Sequence, residues 1–221
     1  MAVTIPHKGA ALHFADRADE ISRLVGAANT LIFGERTEAA NTDVHGILTA
    51  FERSGVALAG LRLCVLGAGG AARAAVAAAH LGGASSVIVL ARTLDRGRRL
   101  AEEFRGRTGL SIEARPYEGG STAVADADGV INTTPLGLRG DDPLPLPSEA
   151  LRRDLVVFDA IYRPARTTWL EAAQNAGAVA IPGTRMFLAQ AAEQFRLLTG
   201  RAAPEDVMAK ALTEIPGCDW L

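Results

Sequence analysis

"LRLCVLGAGGAARAAVAAAHLGGASSVIVLART", residues 61–93, decides the fold class of this 221-residue chain. An apolar run at 63–66 enters a Gly-rich turn, an Ala-rich stretch follows, and Gly82-Gly83 closes it before a second apolar run at 87–90. Short apolar runs bounded by Gly read as buried strands, and an Ala-rich stretch between them reads as the crossover helix of a parallel pair. The segment is a βαβ unit. The same alternation continues downstream: a charged helix over 94–107, a short strand over 111–116, strands within "ADGVINTTP" (127–135) and "DLVVFDAIY" (154–162), and helices over 167–176 and 186–198. Upstream, residues 2–5 read as a strand stopped by Pro6. Ala11, Leu12, Ala15, Ala18, Ile21 and Leu24 recur at the spacing of one helix over 9–24. "NTLIF" (29–33) and "TEAANTD" (37–43) flank Gly34-Glu35-Arg36 as a hairpin, and 44–54 is helical again.

Composition narrows the function classes. Hydrophobic residues make up 48% and charged residues 22% of the chain, as in an α/β protein with a real core. A formal net charge of -2 offers no electrostatic case for nucleic acid or an anionic membrane surface. Cys64 and Cys218 are too few and too differently placed for a disulfide framework or a metal cluster, so no metal is expected and a reducing cytoplasm is the natural compartment. Neither a leader pattern nor an apolar run of membrane-spanning length is visible. The expected partner is a small molecule, bound by a monomer or homodimer.

Gly67-Ala68-Gly69-Gly70-Ala71-Ala72 fits G-x-G-x-x-G/A between a strand and a helix. The first Gly permits the tight turn, the second lets backbone approach a pyrophosphate, and the small sixth residue allows close helix packing. An ordinary tight strand-to-helix turn is the alternative. The second strand ends Leu90-Ala91-Arg92-Thr93, with Arg96 a turn later and no acid at the tip. An acid there would select the ribose hydroxyl of NAD, whereas a guanidinium meets the 2′-phosphate of NADP. NADP is therefore favoured, the competing reading being a solvated Arg at a helix start. Lys8, Asn29-Thr30 and Asn41-Thr42-Asp43 are the chemistry-capable residues of the first segment: a Lys that exchanges a proton with a carbonyl needs an orienting partner, which Asp43 can be. A surface Lys, a capping Asp and turn Asn residues fit the same pattern.

Taken together these residues resemble the shikimate dehydrogenase family, whose activity is the NADP-dependent reduction of 3-dehydroshikimate to shikimate. "VTIPHK" (3–8), "GAANTL" (26–31) and "NTD" (41–43) are similar to its catalytic-lysine, substrate-Asn and catalytic-Asp segments. "GAGGAAR" (67–73), "ARTLDR" (91–96), "NTTPLG" (132–137) and "PGTRMFLAQAAEQF" (182–195) match its cofactor and C-terminal segments. The resemblance implies Lys8 as proton donor, Asp43 as its partner, and Thr4, Asn29, Tyr162 and Gln190 around the substrate. It implies Gly67, Ala68, Gly69, Gly70 and Ala71 at the pyrophosphate, Arg92, Thr93 and Arg96 at the 2′-phosphate, and Gly183 near the nicotinamide. Ala91 and Ala160 depart from the family's usual Asn and Met.

The family also carries a segment ahead of "VTIPHK", with a Ser-x-Ser motif for the substrate carboxylate. Its absence here suggests an internal Met taken as the start, a non-catalytic NADP-binding module, or a site completed by another segment for a relative such as quinate or an amino analogue. The expected fold is a Rossmann-like doubly wound parallel sheet over 44–183. Residues 1–43 and 184–221 are expected to form a partial α/β substrate domain.

Overall fold

The computed structural model describes residues 1–4, 6–118 and 120–220. The first elements are α1 (Lys8–Phe14), β1 (Arg17–Ala18), α2 (Glu20–Val25), β2 (Thr30–Ile32), β3 (Glu38–Ala40) and α3 (Asp43–Arg53). A small sheet in the order β1-β3-β2 results, with β2 and β3 the expected antiparallel hairpin and β1 parallel to β3. The single helix expected over 9–24 is corrected to two. Ala15 leaves α1 in an extended conformation, and β1 pairs with β3. The Asp19 carboxylate then caps α2 by accepting from the Ser22 amide (2.6 Å). α1 turns Ala11 and Leu12 inward and α2 turns Ile21 and Leu24 inward, so their two stripes read as one period.

The strand expected over 2–5 is also corrected, with Ile5 lying outside the described residues. Ala2 makes an isolated antiparallel bridge to Thr30, and the Val3 amide donates to the Asn29 carbonyl (2.7 Å). Residues 1–3 thus follow β2 without becoming a regular strand.

The remaining elements are β4 (Arg62–Leu66), α4 (Gly70–Leu81), β5 (Ser86–Ala91), α5 (Leu94–Thr108), β6 (Ser111–Pro116), α6 (Gly120–Ala125) and β7 (Gly129–Asn132). They continue with β8 (Val156–Asp159), α7 (Thr168–Asn175), β9 (Val179–Ile181), α8 (Gly183–Thr199) and α9 (Glu205–Thr213). Six parallel strands form one sheet in the order β6-β5-β4-β7-β8-β9. The chain winds outward in both directions from β4, so the crevice beside the ends of β4 and β7 is where the strand order reverses.

Local sequence explains the packing. Seven residues of α4, six of them Ala, are buried, which lets that helix lie close to the sheet. On α5 only Gly97, Leu100, Ala101 and Phe104 are buried, a single stripe at helical spacing, and its arginines and acids face outward. Among the described residues no helix is long and apolar enough to cross a membrane.

Contacts on two sides tie the layers together. Helix α3 lies against the large sheet, with Phe51 on Phe158 (5.7 Å between ring centres), and crosses α8 at Gly46. A Cβ on Gly46 would lie 2.7 Å from the Met186 carbonyl oxygen, so only Gly permits that approach. On the other side, Arg73 of α4 donates to the Val25 carbonyl (2.5 Å) and Arg107 of α5 to the Leu24 carbonyl (2.9 Å). Cationic groups at the carbonyl end of α2 suit the helix dipole as well as joining the layers.

Candidate active site

Lys8 is the first residue of α1 and Asp43 the first of α3, and the two helix starts bring Lys8 Nζ within 2.6 Å of Asp43 Oδ2. The N-terminal end of α3 favours a carboxylate at Asp43, and the Asn41 side chain accepts from the Asp43 amide (3.0 Å), fixing the turn that starts the helix. Asp43 is almost fully buried while the Lys8 side chain keeps 19% exposure, so the ammonium is the member of the pair that solvent reaches. Asn29, 3% exposed, donates to Asp43 Oδ1 (3.0 Å) and the Thr42 hydroxyl (2.9 Å), with Gln190 Oε1 at 3.4 Å. Its own side-chain oxygen accepts from the Thr42 amide (3.0 Å) and the Thr30 hydroxyl (2.9 Å). Gln194, one turn beyond Gln190 on α8, donates to Thr30 Oγ1 (2.8 Å). The result is a polar cluster built from α1, the hairpin, α3 and α8, with a cation at its mouth.

The second feature is a cleft of about 340 Å³ at the strand-order reversal, floored by Gly67, Ala68 and Gly69 and walled by Ala91, Arg92, Thr93 and Arg96 on one side. Thr133, Thr134, Pro135, Leu136 and Tyr117 close it elsewhere. Gly67 has φ +106° and faces Thr133 Oγ1, whereas a Cβ on Gly69 or Gly70 would meet nothing within 4 Å. The backbone at the start of α4 is thus open to a ligand, and its first amides, including that of Ala71, are free of intrahelical partners by geometry. Arg92, Thr93 and Arg96 are exposed at the tip of β5 and the start of α5. The nearby acid, Asp95, pairs with Arg98 (3.6 Å). The Tyr117 hydroxyl donates to the Pro145 carbonyl, and burial pushes this phenol up to about 12, so it stays neutral.

A third feature is the end of β8, where α8 begins. Gly183 starts α8 so close to this segment that a Cβ would stand 2.7 Å from the Asp159 carbonyl oxygen. Tyr162, 43% exposed, stacks on Phe187 of α8 with ring centres 4.3 Å apart. Asp159 is fully buried and accepts from Asn132, Ile161 and Thr167; burial pushes its carboxyl up to about 6.

Two family models match the chain: Shikimate / quinate 5-dehydrogenase over residues 50–136, and the Shikimate 5'-dehydrogenase C-terminal domain over residues 183–213. The NADP(+) shikimate dehydrogenase of Methanothermobacter thermautotrophicus is 41% identical over 217 residues, which cover 96% of this chain and 76% of that one. The chain belongs to the shikimate dehydrogenase family. Within the family, quinate dehydrogenase from Corynebacterium glutamicum, solved with NAD, superposes with a TM-score of 0.91 at 29% identity, covering 97% of this chain and 77% of that one. The Thermus thermophilus shikimate 5-dehydrogenase, solved with NADP(H) and shikimate, gives 0.81 at 37% identity, covering 95% and 76%. The parallel sheet seen here is the Rossmann-like architecture of these shikimate and quinate dehydrogenases.

Of the residues that the family resemblance singles out, Lys8, Asn29, Asp43 and Gln190 meet in one cluster. Gly67, Ala68, Gly69, Arg92, Thr93 and Arg96 line one cleft, with Gly70 and Ala71 in the first turn of α4. Tyr162 stacks on Phe187, whose carbonyl accepts from Gln190 (3.2 Å), and Gly183 packs on the end of β8. Thr4 is exposed, its carbonyl accepting from the His7 amide (2.9 Å); among the described residues no hydrogen bond joins its side chain to the cluster. Gln194, Tyr117 and Asp159 escaped the sequence reading. Gln194 lies one helical turn after Gln190, so helical period was the available signal. For Tyr117 and Asp159 the sequence holds none, because the Pro145 carbonyl that Tyr117 meets and the Asn132 side chain that meets Asp159 lie 28 and 27 residues away.

Proposed function

We propose that this chain is an NADP-dependent shikimate dehydrogenase, interconverting 3-dehydroshikimate and shikimate. The observation that carries this reading is the Lys8–Asp43 ion pair, a solvent-reachable ammonium held at 2.6 Å by a buried carboxylate. In the reducing direction Lys8 gives a proton to the carbonyl oxygen as hydride reaches the ring carbon, and in the oxidising direction it takes that proton back from the hydroxyl. Asp43 fixes the direction of Nζ, which is what a proton donor at a defined oxygen requires. Asn29 and Gln190 hold ring hydroxyls, with Tyr162 and Thr4 along the same opening.

The glycine cleft fits NADP on its own geometry. Open space above Gly69 and Gly70 admits a pyrophosphate to the helix amides, and Arg92, Thr93 and Arg96 offer donors to a 2′-phosphate. Bound there, the nicotinamide supplies or accepts the hydride. Gly183 would lie at its reactive end. In this reading residues 44–183 form the cofactor unit, and residues 1–43 with 184–221 form the substrate unit.

The test is NADPH formation from shikimate and NADP, with quinate and NAD as alternative reactants. Lys8→Ala should lower turnover by about 100-fold or more, the usual contribution of a positioned acid–base group, and leave NADPH affinity unchanged. Wild-type turnover in Lys8→Ala would overturn the assignment of Lys8. NADPH binding without turnover of any of these acids by the unmutated chain would overturn the enzymatic reading.

A further inference from the structure

Asp159, the last residue of β8, is fully buried and belongs neither to the Lys8 cluster nor to the walls of the glycine cleft. Its carboxylate nevertheless reaches segments that edge both. Oδ1 accepts from Asn132 Nδ2 (3.0 Å) and the Ile161 amide (3.1 Å), and Oδ2 accepts from the Thr167 hydroxyl (2.8 Å). Asn132 passes the constraint on. Its side-chain oxygen accepts from the Thr134 amide (3.0 Å) and hydroxyl (2.7 Å), and its Nδ2 also donates to the Leu136 carbonyl (3.1 Å). Thr134 and Leu136 line the dinucleotide cleft, while Ile161 immediately precedes Tyr162.

We infer that Asp159 is a positioning residue for the proposed reaction: its buried carboxylate locks the Asn132–Thr134 edge of the cofactor cleft to the Ile161-Tyr162 edge of the substrate opening. The inference rests on the oxidoreductase reading above and adds a residue that this reading does not use. Two N–H donors converge on Oδ1, and the Thr167 hydroxyl, which itself accepts from the Leu170 amide (3.3 Å), turns its proton to Oδ2; a carboxylate satisfies all three, whereas a carboxylic acid or a carboxamide sets a proton against one of them. Burial without an ion pair makes the ionised form costly, which is why the carboxyl titrates near 6. The groups facing it are uncharged: Asn132 from β7, the Ile161 amide from its own loop and the Thr167 hydroxyl at the start of α7. No charge on β9 or α8 contributes to its shift. Mild acid therefore protonates the node and removes its acceptor-only character.

The experiment uses the full chain with Asp159→Asn, Thr167→Val and Thr167→Ser, each checked for native circular dichroism. Shikimate oxidation and NADPH binding are followed from about pH 5 to about pH 8, a window that brackets the titration. Asp159→Asn should lower kcat/KM by about tenfold or more at the alkaline end, the weight of one hydrogen bond to a charged group. It should also lose the part of the acid limb that Asp159 supplies. Thr167→Val withdraws a donor from the carboxylate and should move the acid limb of turnover to higher pH; Thr167→Ser, which keeps the hydroxyl, should restore it. Wild-type kcat/KM in Asp159→Asn, or an unmoved limb in Thr167→Val, would overturn the inference. If the unmutated chain turns over neither shikimate nor quinate, the enzymatic reading fails by itself. The node is then judged on NADPH affinity, where the gap between wild type and Asp159→Asn should widen with rising pH. The 2′-phosphate of the ligand titrates alike in both proteins and cancels, so a pH-independent gap would sink the inference.

Discussion

At the tip of β5 the choice between the two nicotinamide cofactors comes down to single side chains. Arg92 and Arg96 are exposed, and Asp95, the acid that could have met a ribose hydroxyl, pairs with Arg98 instead. A guanidinium meeting a phosphate makes charge-assisted hydrogen bonds, but at an exposed site solvent and salt reduce their net value. Arg92→Ala should therefore weaken NADPH by about tenfold while leaving NADH affinity unchanged, and added salt should narrow the difference. Fluorescence titrations with both dinucleotides measure this directly. Equal losses for NADPH and NADH would mean that Arg92 does not read the 2′-phosphate. Neighbouring Ala91 is where α5 seats against β5: a Cβ on Gly97 would stand 3.0 Å from the Ala91 Cβ, so the helix approaches there through Gly97.

The crossing of α3 and α8 is where secondary structure becomes site geometry, since α3 begins at Asp43 and α8 carries Gln190. Gly46 permits the approach, and Gly46→Ala would place a methyl 2.7 Å from the Met186 carbonyl and 2.9 Å from Gln190 Cβ. Backbone cannot yield as a flexible side chain can, so the helices must separate. The variant should lose about 1–3 kcal/mol of stability by urea denaturation, the range for overpacking a tight core, and should raise the KM for shikimate more than that for NADP. Equal KM values with reduced stability would detach the crossing from the substrate side. Elements of this kind differ in how far the sequence discloses them. The βαβ unit is legible because its strand, turn and helix signals are all local, and the hairpin around Gly34-Glu35-Arg36 is legible for the same reason. The 9–24 stretch misleads, because α1 and α2 bury stripes that share one period across the intervening β1. Short α6 and β9, along with α9, leave no pattern long enough to separate from a loop. In the site, Lys8, Asp43 and the glycine turn are carried by compact motifs. Asp159 is invisible because Asn132, 27 residues away, is what makes it a node.

Across the whole molecule, two carboxyls give stability opposite dependences on pH. Asp128, which precedes β7, is pulled down to about 2 by hydrogen bonds from the Arg62 side chain and backbone amide. Its contribution is present above the ordinary carboxyl value of 3.8 and lost as pH falls towards 2, and solvent exposure of the pair keeps it small. Asp159, at the end of β8, works the other way. Its carboxyl rises from 3.8 to about 6 on folding, so between these values the folded chain binds more protons than the unfolded one and stability falls with rising pH. At about 1.4 kcal/mol per pH unit the ionised node costs about 3 kcal/mol above its titration. Asp159→Asn carries no such term. Relative to wild type it should gain up to about 3 kcal/mol between about pH 4 and about pH 7 in urea denaturation, even as it loses turnover. The opposition between the two readouts separates a positioning carboxylate from a merely structural one. A structural carboxylate would lose stability and activity together, whereas a charge kept in the core for the sake of the cleft costs stability in the same pH range in which it supports catalysis.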